Sequence, residues 1–200
     1  MANDWTESTD PFALFAEWFA KARQGEPNDP DAMSLASVDA DGLPDVRMVL
    51  CKQADERGLA FYTNEQSAKG RELTDNPRAA ALFHWKSLRS QVRFRGEVSA
   101  VDEAESDAYF ASRARISRLG AIASRQSRPL ADRATLEAAV AEVDRLHPGD
   151  PIPRPAHWRG FRLTPSQIEF WRDGAFRLHD RVLFSRRAPD GAWSRQRLYP

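Results

Sequence analysis

Short segments of alternating apolar and polar residues, separated by turn residues, constrain the fold of this chain more than any other feature. In the clearest segment Gln91, Arg93 and Arg95 fall on one face of a strand, while Val92 and Phe94 fall on the other. The sequence predicts strands over residues 33–38, 46–52, 59–63, 79–85, 91–100, 158–163, 167–171, 176–184 and 193–198. Many short strands of this kind are typical of a curled sheet or a β-barrel.

Helices are predicted before and between these strands. Asp10 and Pro11 favour a helix start, with the helix ending near Gly25, and Ser67 is the expected cap of a short helix that ends near Asp75. Further helices are predicted over residues 103–113, 117–123 and 131–146. Helices clustered beside many strands predict an α+β domain, with the helices outside a β-barrel or curled sheet.

The chain has 200 residues, which suits one domain with a sizeable core. We expect a single domain over residues 1–200, in which residues 1–30 form an N-terminal helix and loop. Residues 147–158 are rich in proline and are expected to be a stiff connector inside the domain, because too little chain follows them to build a second core.

Charge and cysteine content exclude several classes of protein. Lys+Arg and Asp+Glu both number 29, so the net charge is zero and a strongly basic nucleic-acid binder is excluded. The single cysteine, Cys51, excludes an internal disulfide framework and a cysteine-rich zinc site, and the scattered histidines argue against any metal site. We expect a cytoplasmic protein, because residues 1–10 do not resemble a signal peptide and no apolar stretch is long enough to cross a membrane.

Tyr109, Arg113 and Ser117 recur at intervals of four residues. Positions four apart drift only about 40° around a helix, so on a continuous helix these three side chains would share one face. A phenol, a guanidinium and a hydroxyl suit a small anion such as a phosphate monoester. The alternative is an ordinary solvated helix face.

Arg177, His179 and Arg181 alternate within a predicted strand, so they would share one face at a spacing of roughly 6.6 Å. Two cations this close are unfavourable unless an anion lies between them or strand twist separates them. The pattern therefore favours a binding site, and the alternative is the polar outer face of an edge strand.

Ser67 and Lys69 are typical of an anion-binding site at the N-terminus of a helix. Residues 47–52 and 62–63 are further candidates for the same site. The alternative is a helix cap beside a surface lysine. Taken together, the three clusters predict two anion sites, one for the phosphate of a cofactor and one for the phosphate of a substrate.

A series of sequence blocks resembles the pyridoxine/pyridoxamine 5′-phosphate oxidase family. In chain order the blocks begin at Arg47 (RMVLCK), Phe61 (FYTN), Arg89 (RSQV), Tyr109 (YFASR), Ser124 (SRQS), Gln167 (QIEFW), Arg177 (RLHDR) and Arg197 (RLYP). They keep the family order through to the last residue, and the IEFW and RLHDR blocks are specific when they occur together.

This resemblance implies a split β-barrel homodimer with FMN at the subunit interface. It implies an oxidase that takes a hydride from pyridoxamine or pyridoxine 5′-phosphate and uses O₂, without a nucleic-acid or membrane partner. The residues that it places at FMN are Arg47, Met48, Val49, Leu50, Lys52, Tyr62, Thr63, Lys69, Gln91, Gln126, Ser127, Trp171 and Arg181. The residues that it places at the substrate are Lys52, Tyr109, Arg113, Ser117, Arg177 and His179, of which Arg177 and His179 are the catalytic candidates.

Two positions depart from the family pattern. Many relatives carry Arg where Ala68 stands and Trp where Ile122 stands. The first change removes one guanidinium contact to the FMN phosphate, and Arg71, one turn further on, is the candidate that replaces it.

Three other functions stay open. The chain is also compatible with an FMN oxidase of the phenazine-biosynthesis type, or with a flavin-binding relative without oxidase activity. The residues expected to hold a substrate phosphate argue against the phenazine type. An RNA-binding β-barrel is disfavoured, because Phe94 lies on the opposite face from Arg93 and Arg95 and the net charge is zero.

Overall fold

A computed structural model describes residues 4–200, so the first three residues of the expected N-terminal segment lie outside the described residues. The helices are α1 (Pro11–Gly25), α2 (Ala68–Asp75), α3 (Glu103–Ser112), α4 (Arg115–Ala123) and α5 (Arg133–Leu146). The strands are β1 (Ala32–Val38), β2 (Pro44–Leu50), β3 (Gln53–Asp55), β4 (Gly58–Asn64), β5 (Arg78–Trp85), β6 (Ser90–Ala100), β7 (Trp158–Arg172), β8 (Asp180–Ser185) and β9 (Ser194–Arg197). No described helix is both long enough and apolar enough to span a membrane.

The described strands form one curled antiparallel sheet in the order β2-β1-β5-β6-β7-β4-β3. Strand β7 is the longest, and along one edge it pairs with β6. Its other edge is shared, because β4 pairs with the first part of β7 and β8 pairs with Gln167–Arg172. Strand β9 then extends the sheet beyond β8. Strand β7 thus joins the part of the curled sheet that contains β4 to the part that contains β8 and β9.

The core lies between helix α1 and the inner face of the sheet. The Asp10 side chain accepts hydrogen bonds from the backbone N–H groups of Phe12 and Ala13 at 2.9 and 3.1 Å, which starts the helix as predicted. Its buried face places Phe15 at 4.9 Å from the Phe94 ring and Trp18 at 5.2 Å from the Phe170 ring. A smaller cluster around Phe110, Leu119, Ile152 and Trp158 packs beneath helices α3 and α4.

The prediction of two strands at 158–163 and 167–171 is wrong, because β7 runs through both without a break. The register between β6 and β7 shifts at Arg95/Gly96, where Gly96 faces Pro165. Proline lacks an N–H and is tolerated at a bulge, and a Cβ at Gly96 would collide with the Thr164 carbonyl oxygen. The proline that suggested a strand end therefore marks a bulge.

The prediction of a strand over 176–184 is also wrong at its start. Phe176 and Arg177 have φ angles of 56° and 64°, in the left-handed region, and β8 begins only at Asp180. Arg177, His179 and Arg181 therefore do not share one strand face. A strand requires extended backbone, and the left-handed conformation turns the chain instead.

The premise of a continuous helix through Tyr109, Arg113 and Ser117 is contradicted as well. Arg113 is the C-cap of α3 with an extended ψ of 151°, and a second helix begins at Arg115. Tyr109 lies on α3 and Ser117 on α4, so the spacing of four residues does not place them on one helix face. Smaller differences are the shift of β2 to Pro44–Leu50 and the short strand β3, which the sequence did not predict.

Candidate functional site

Thr63 and Lys69 are buried where β4 meets α2, and the exposed Gln126 joins them in one polar group. Thr63 Oγ1 donates to Gln126 Oε1 at 3.3 Å and accepts from Lys69 Nζ at 3.4 Å. Burial, followed by the nearby charge of Arg47, lowers the pKa of the Lys69 ammonium group. The Ser67 hydroxyl caps α2 by accepting from the Gly70 N–H at 3.2 Å, as predicted. A buried ammonium group whose partner is an uncharged hydroxyl would be stabilised by an anion.

Arg47 lies next to this group on β2 and is held by acidic partners. Its guanidinium donates to Asp45 at 2.6 Å, to Glu72 at 2.9 Å and to the Ser37 hydroxyl. Glu72 comes from α2, and its side chain is buried. Contacts from both β2 and α2 therefore fix the orientation of the Arg47 guanidinium.

The remaining candidates on and after β2 point elsewhere. Lys52 Nζ forms an ion pair with Asp31 at 2.8 Å. Val46, Met48 and Leu50 are exposed and form an apolar stripe on the outer edge strand, whereas Val49 packs against the core. An exposed apolar stripe on an edge strand is typical of a contact surface between proteins.

An aromatic stack joins β4, α3 and β7. The Tyr62 and Tyr109 ring centres lie 4.0 Å apart, and the Trp158 ring centre lies 5.4 Å from that of Tyr62 and 6.1 Å from that of Tyr109. The Arg113 guanidinium lies 4.8 Å from the Trp158 ring, and its Nη1 is buried without a hydrogen-bond partner among residues 4–200. Burial raises the pKa of the Tyr62 hydroxyl to about 12. Ser117 is half-buried on the neighbouring α4.

Gln91, Trp171 and Arg181 form a row across three strands. Gln91 faces Trp171 in the β6–β7 register, and Trp171 faces Arg181 in the β7–β8 register. The Trp171 and His179 rings lie 4.7 Å apart. Four of the predicted site residues therefore lie together at this end of β7.

His179 lies in the loop before β8 and is held at one ring nitrogen. Its Nδ1 is 3.0 Å from Asp173 Oδ1 and 3.1 Å from the Gly174 backbone nitrogen. Asp173 also accepts from the Arg89 guanidinium. Both contacts engage Nδ1 rather than Nε2, the other ring nitrogen, whereas the Arg177 side chain is exposed.

The two positions that depart from the family pattern have ordinary surroundings. Ala68 is the first residue of α2, and the exposed Arg71 donates from Nη1 to the Gln66 carbonyl. Ile122 is half-buried and packs against the Phe110–Trp158 cluster. Ser127 follows Gln126 in an exposed turn, with a left-handed φ of 66°.

Sequence reasoning missed Glu72, Trp158, Glu169 and Asp173. Each of them touches a predicted site residue: Arg47, Arg113, Arg181 and His179, respectively. Glu169 lies inside the recognised QIEFW block, and that was the only signal available for it. The Glu72–Arg47 and Trp158–Arg113 contacts join segments that are distant in sequence, and Asp173 meets His179 only because the chain turns between them.

Two family profiles cover most of the chain. Residues 19–147 match the family described as pyridoxamine 5′-phosphate oxidase, and residues 158–200 match the pyridoxine 5′-phosphate oxidase C-terminal dimerisation region. The chain belongs to the pyridoxine/pyridoxamine 5′-phosphate oxidase family. The predicted family is thereby confirmed, and the dimerisation region supports the expected homodimer.

Curated relatives in this family match the chain along its whole length. The pyridoxine/pyridoxamine 5′-phosphate oxidases of Azorhizobium caulinodans and Brucella anthropi are each 59% identical to it over 199 residues. The alignments cover 100% of this chain and 94% and 98% of those proteins. The expected oxidase activity and the FMN cofactor are confirmed by this family membership.

Solved structures confirm the split-barrel fold. PhzG from Burkholderia lata, solved with tetrahydrophenazine-1-carboxylic acid, has a TM-score of 0.91 and 32% identity, over 100% of this chain and 98% of its own. An FMN-binding protein from Nostoc punctiforme, related to pyridoxamine 5′-phosphate oxidase, has a TM-score of 0.78 at 20% identity, over 96% of this chain and 100% of its own. Identity is thus higher to the named B6 oxidases than to PhzG, which favours the oxidase prediction over the phenazine alternative.

Proposed function

We propose that this chain oxidises pyridoxamine 5′-phosphate and pyridoxine 5′-phosphate to pyridoxal 5′-phosphate, as an FMN-dependent enzyme of vitamin B6 metabolism. The observation that carries the proposal is the buried Arg113 Nη1, which lacks a hydrogen-bond partner among the described residues. It lies beside the Tyr62–Tyr109 stack, next to Trp158. A phosphate monoester would supply the missing acceptor, since guanidinium groups bind phosphate oxygens strongly.

The residues present fit FMN. The buried Lys69 ammonium group, the Thr63 hydroxyl and the Gln126 amide offer the donors and acceptors that a phosphate and its polyol chain require. At the other end of β7, the Trp171 ring and the Arg181 guanidinium offer a flat apolar surface and a cation. We assign the FMN contacts of the family pattern to these residues, together with Arg47, Gln91 and Ser127.

The two groups of FMN residues support a cofactor site at the subunit interface. Thr63 faces Arg159 in the β4–β7 register, whereas Trp171 lies near the far end of the same strand. The segment of β7 between Arg159 and Trp171 corresponds to roughly 40 Å along an extended chain, so the two groups lie towards opposite ends of that strand. Each group is then half of a site, and a second copy of the chain completes it. The exposed stripe of Val46, Met48 and Leu50 supports the same homodimer.

The residues of the chain position the substrate. Arg113, Tyr109 and Ser117 hold its phosphate, so that binding energy remote from the reacting carbon keeps this carbon in place. The family pattern adds Lys52, whose ammonium group is paired with Asp31 in this structure. Arg177 and His179 orient the pyridine ring. In the tautomer whose Nδ1–H donates to Asp173, His179 Nε2 is available to accept a proton from the amine or hydroxyl group.

Bound FMN would supply the acceptor for the hydride that leaves the substrate carbon, and O₂ would take up the two electrons as hydrogen peroxide. With the alcohol substrate, loss of the hydride and the hydroxyl proton gives the aldehyde directly. With the amine substrate the same loss gives an imine, which adds water and releases ammonia.

We also propose one domain over residues 1–200, because strands from both matched regions share a single sheet. The segment between α5 and β7 contributes Ile152 to the smaller core cluster, which supports its role as a connector inside that domain. A cytoplasmic location is proposed from the sequence alone.

The test is an absorbance spectrum of the full-length protein loaded with FMN, taken before and after anaerobic addition of pyridoxamine 5′-phosphate. We expect the flavin band at about 450 nm to bleach, as it does when flavins are reduced. A band that stays unchanged would contradict the proposal. Bleaching by tetrahydrophenazine-1-carboxylic acid alone would favour the phenazine alternative.

A further inference from the structure

Glu169 is a buried carboxylate between two arginines on the polar face of the sheet. It is 6% exposed. Its Oε2 accepts from Arg93 Nη2 on β6, and its Oε1 accepts from Arg181 Nε at 2.9 Å and Nη2 at 2.7 Å on β8. Both oxygens are engaged in charge-assisted hydrogen bonds, so this carboxylate serves to hold the arginines.

Arg181 is the arginine of this trio that belongs to the candidate site. It faces Trp171 in the strand register, and its Nη1 donates to the Tyr199 carbonyl at 2.9 Å. Glu169 and the C-terminal backbone therefore hold its guanidinium from two sides. The Arg93 side chain, in contrast, is 47% exposed and faces Glu169 from the opposite strand.

We propose that Glu169 is a positioning residue for the cofactor, which holds Arg181 in the orientation that binds FMN and does not touch FMN itself. The inference rests on the proposed contact between Arg181 and FMN. An unrestrained arginine side chain samples many rotamers, and ordering it on binding weakens affinity. A carboxylate that selects one rotamer beforehand removes this cost.

The negative charge of Glu169 also affects the position of Arg181. Without its carboxylate, Arg93 and Arg181 would be two cations on one sheet face without the anion that now separates them, and their repulsion would push Arg181 away from its present position. Glu169→Asp keeps the charge but shortens the side chain by one methylene. This variant therefore separates the effect of the charge from the effect of the reach.

The experiment titrates FMN into the full-length apoprotein and follows the quenching of flavin fluorescence. The variants are Glu169→Gln, Glu169→Asp, Arg181→Gln, the double variant Glu169→Gln/Arg181→Gln, and the control Arg93→Gln. We expect Kd to rise about tenfold or more in Glu169→Gln and Arg181→Gln, because each loses an oriented charge-assisted contact. We expect a smaller rise in Glu169→Asp, which keeps the charge between the two arginines and loses only reach. Arg93→Gln should stay within about twofold of the parent, since it breaks the same trio without releasing Arg181.

The FMN affinity of the double variant distinguishes a positioning role of Glu169 from a merely structural one. If Glu169 acts through Arg181, the double variant binds FMN no more weakly than Arg181→Gln alone. With FMN saturating, the KM for pyridoxamine 5′-phosphate should be unchanged in Glu169→Asp. If Glu169→Gln does not fold, Glu169→Asp takes its place in the comparison.

Three results would overturn the inference while the proposed Arg181–FMN contact stands. The first is an unchanged Kd in the Glu169 variants while Arg181→Gln weakens binding, and the second is a double variant whose losses multiply. The third is an equal loss in Arg93→Gln, which would assign the effect to general loss of the trio. An unchanged Kd in Arg181→Gln would instead show that the proposed Arg181–FMN contact is wrong, and the inference would fall with it.

Discussion

The Arg113 guanidinium lies 4.8 Å from the centre of the Trp158 ring, which ties the end of α3 to the start of β7. The same indole ring lies 5.4 Å from Tyr62, whose other neighbour is Tyr109. A planar cation is thus held against an aromatic stack, with one buried N–H group that has no acceptor within residues 4–200. Burial lowers the pKa of this guanidinium, but arginine stays charged in proteins.

Arg113→Lys should raise the KM for pyridoxamine 5′-phosphate about tenfold or more while the Kd for FMN stays unchanged. Lysine keeps the charge but loses both the planar stacking on Trp158 and the paired N–H groups. The measurement is steady-state kinetics with FMN saturating. Arg115→Lys is the matched control, because Arg115 bonds Asp144 and the His147 carbonyl outside the stack. Equal KM values in the two variants would refute the phosphate assignment.

As the pH rises, FMN affinity should begin to fall at a lower pH than it would if it depended on a lysine with an ordinary pKa. Burial lowers the pKa of Lys69, and an FMN phosphate favours its charged form. Affinity is therefore greatest below this pKa and is lost as the pH rises through it. The measurement is Kd for FMN between about pH 7 and pH 10 in the parent and in Lys69→Arg, which does not titrate in this range. The same pH dependence in both proteins would rule out Lys69 as its source.

Gly160→Ala should destabilise the protein and disturb the substrate site. A Cβ at this position would lie 2.5 Å from Val101 Cγ2 and 2.6 Å from Tyr62 Cε1, and the stacked ring has little room to move. We expect the free energy of unfolding to fall by about 1–3 kcal/mol, together with a raised KM. Gly120→Ala is the control, because no atom lies within 4 Å of its added Cβ. It should stabilise the helix by about 0.5–1 kcal/mol, and urea unfolding measures both variants. Equal stability of the two variants would show that the Tyr62 contact is not tight.

The Cys51 thiol should react very slowly in the folded protein. Burial raises its pKa to about 12, and the thiolate is the reactive form. Iodoacetamide at about pH 8 should label Cys51 in urea at a rate typical of an exposed thiol, and far more slowly without urea. Labelling at similar rates in both conditions would contradict the buried position.

The same thiol gives a pH dependence of stability. The pKa of the Cys51 thiol is higher in the folded protein than in the unfolded chain. Its contribution to the free energy of unfolding is therefore fully present below the unfolded thiol pKa of about 8.5 and is lost as the pH rises toward about 12. Urea unfolding at about pH 8 and pH 10 should show this loss in the parent, with a smaller loss in Cys51→Ala. An identical loss in both proteins would assign it to other groups.

Local signals predicted the helices more accurately than the strands. The Asp10 and Ser67 caps fixed the starts of α1 and α2, since a cap depends on residues within one turn. The bulge at Pro165 was missed, because it depends on Gly96 in another strand. The left-handed Phe176 and Arg177 were missed for a related reason, since neither residue type favours that conformation by itself.

Taken alone, the sequence determined the fold class, the core face of β6, the helix caps and the family, because these depend on short-range patterns and on motif residues. Only the tertiary structure decided how the candidate residues are grouped. It placed Arg113 against Trp158, Glu169 between Arg93 and Arg181, and Asp173 beside His179. The physical reason is that most of these contacts join strands and loops far apart in the chain, where their geometry is set by sheet register and core packing rather than by local conformational preference.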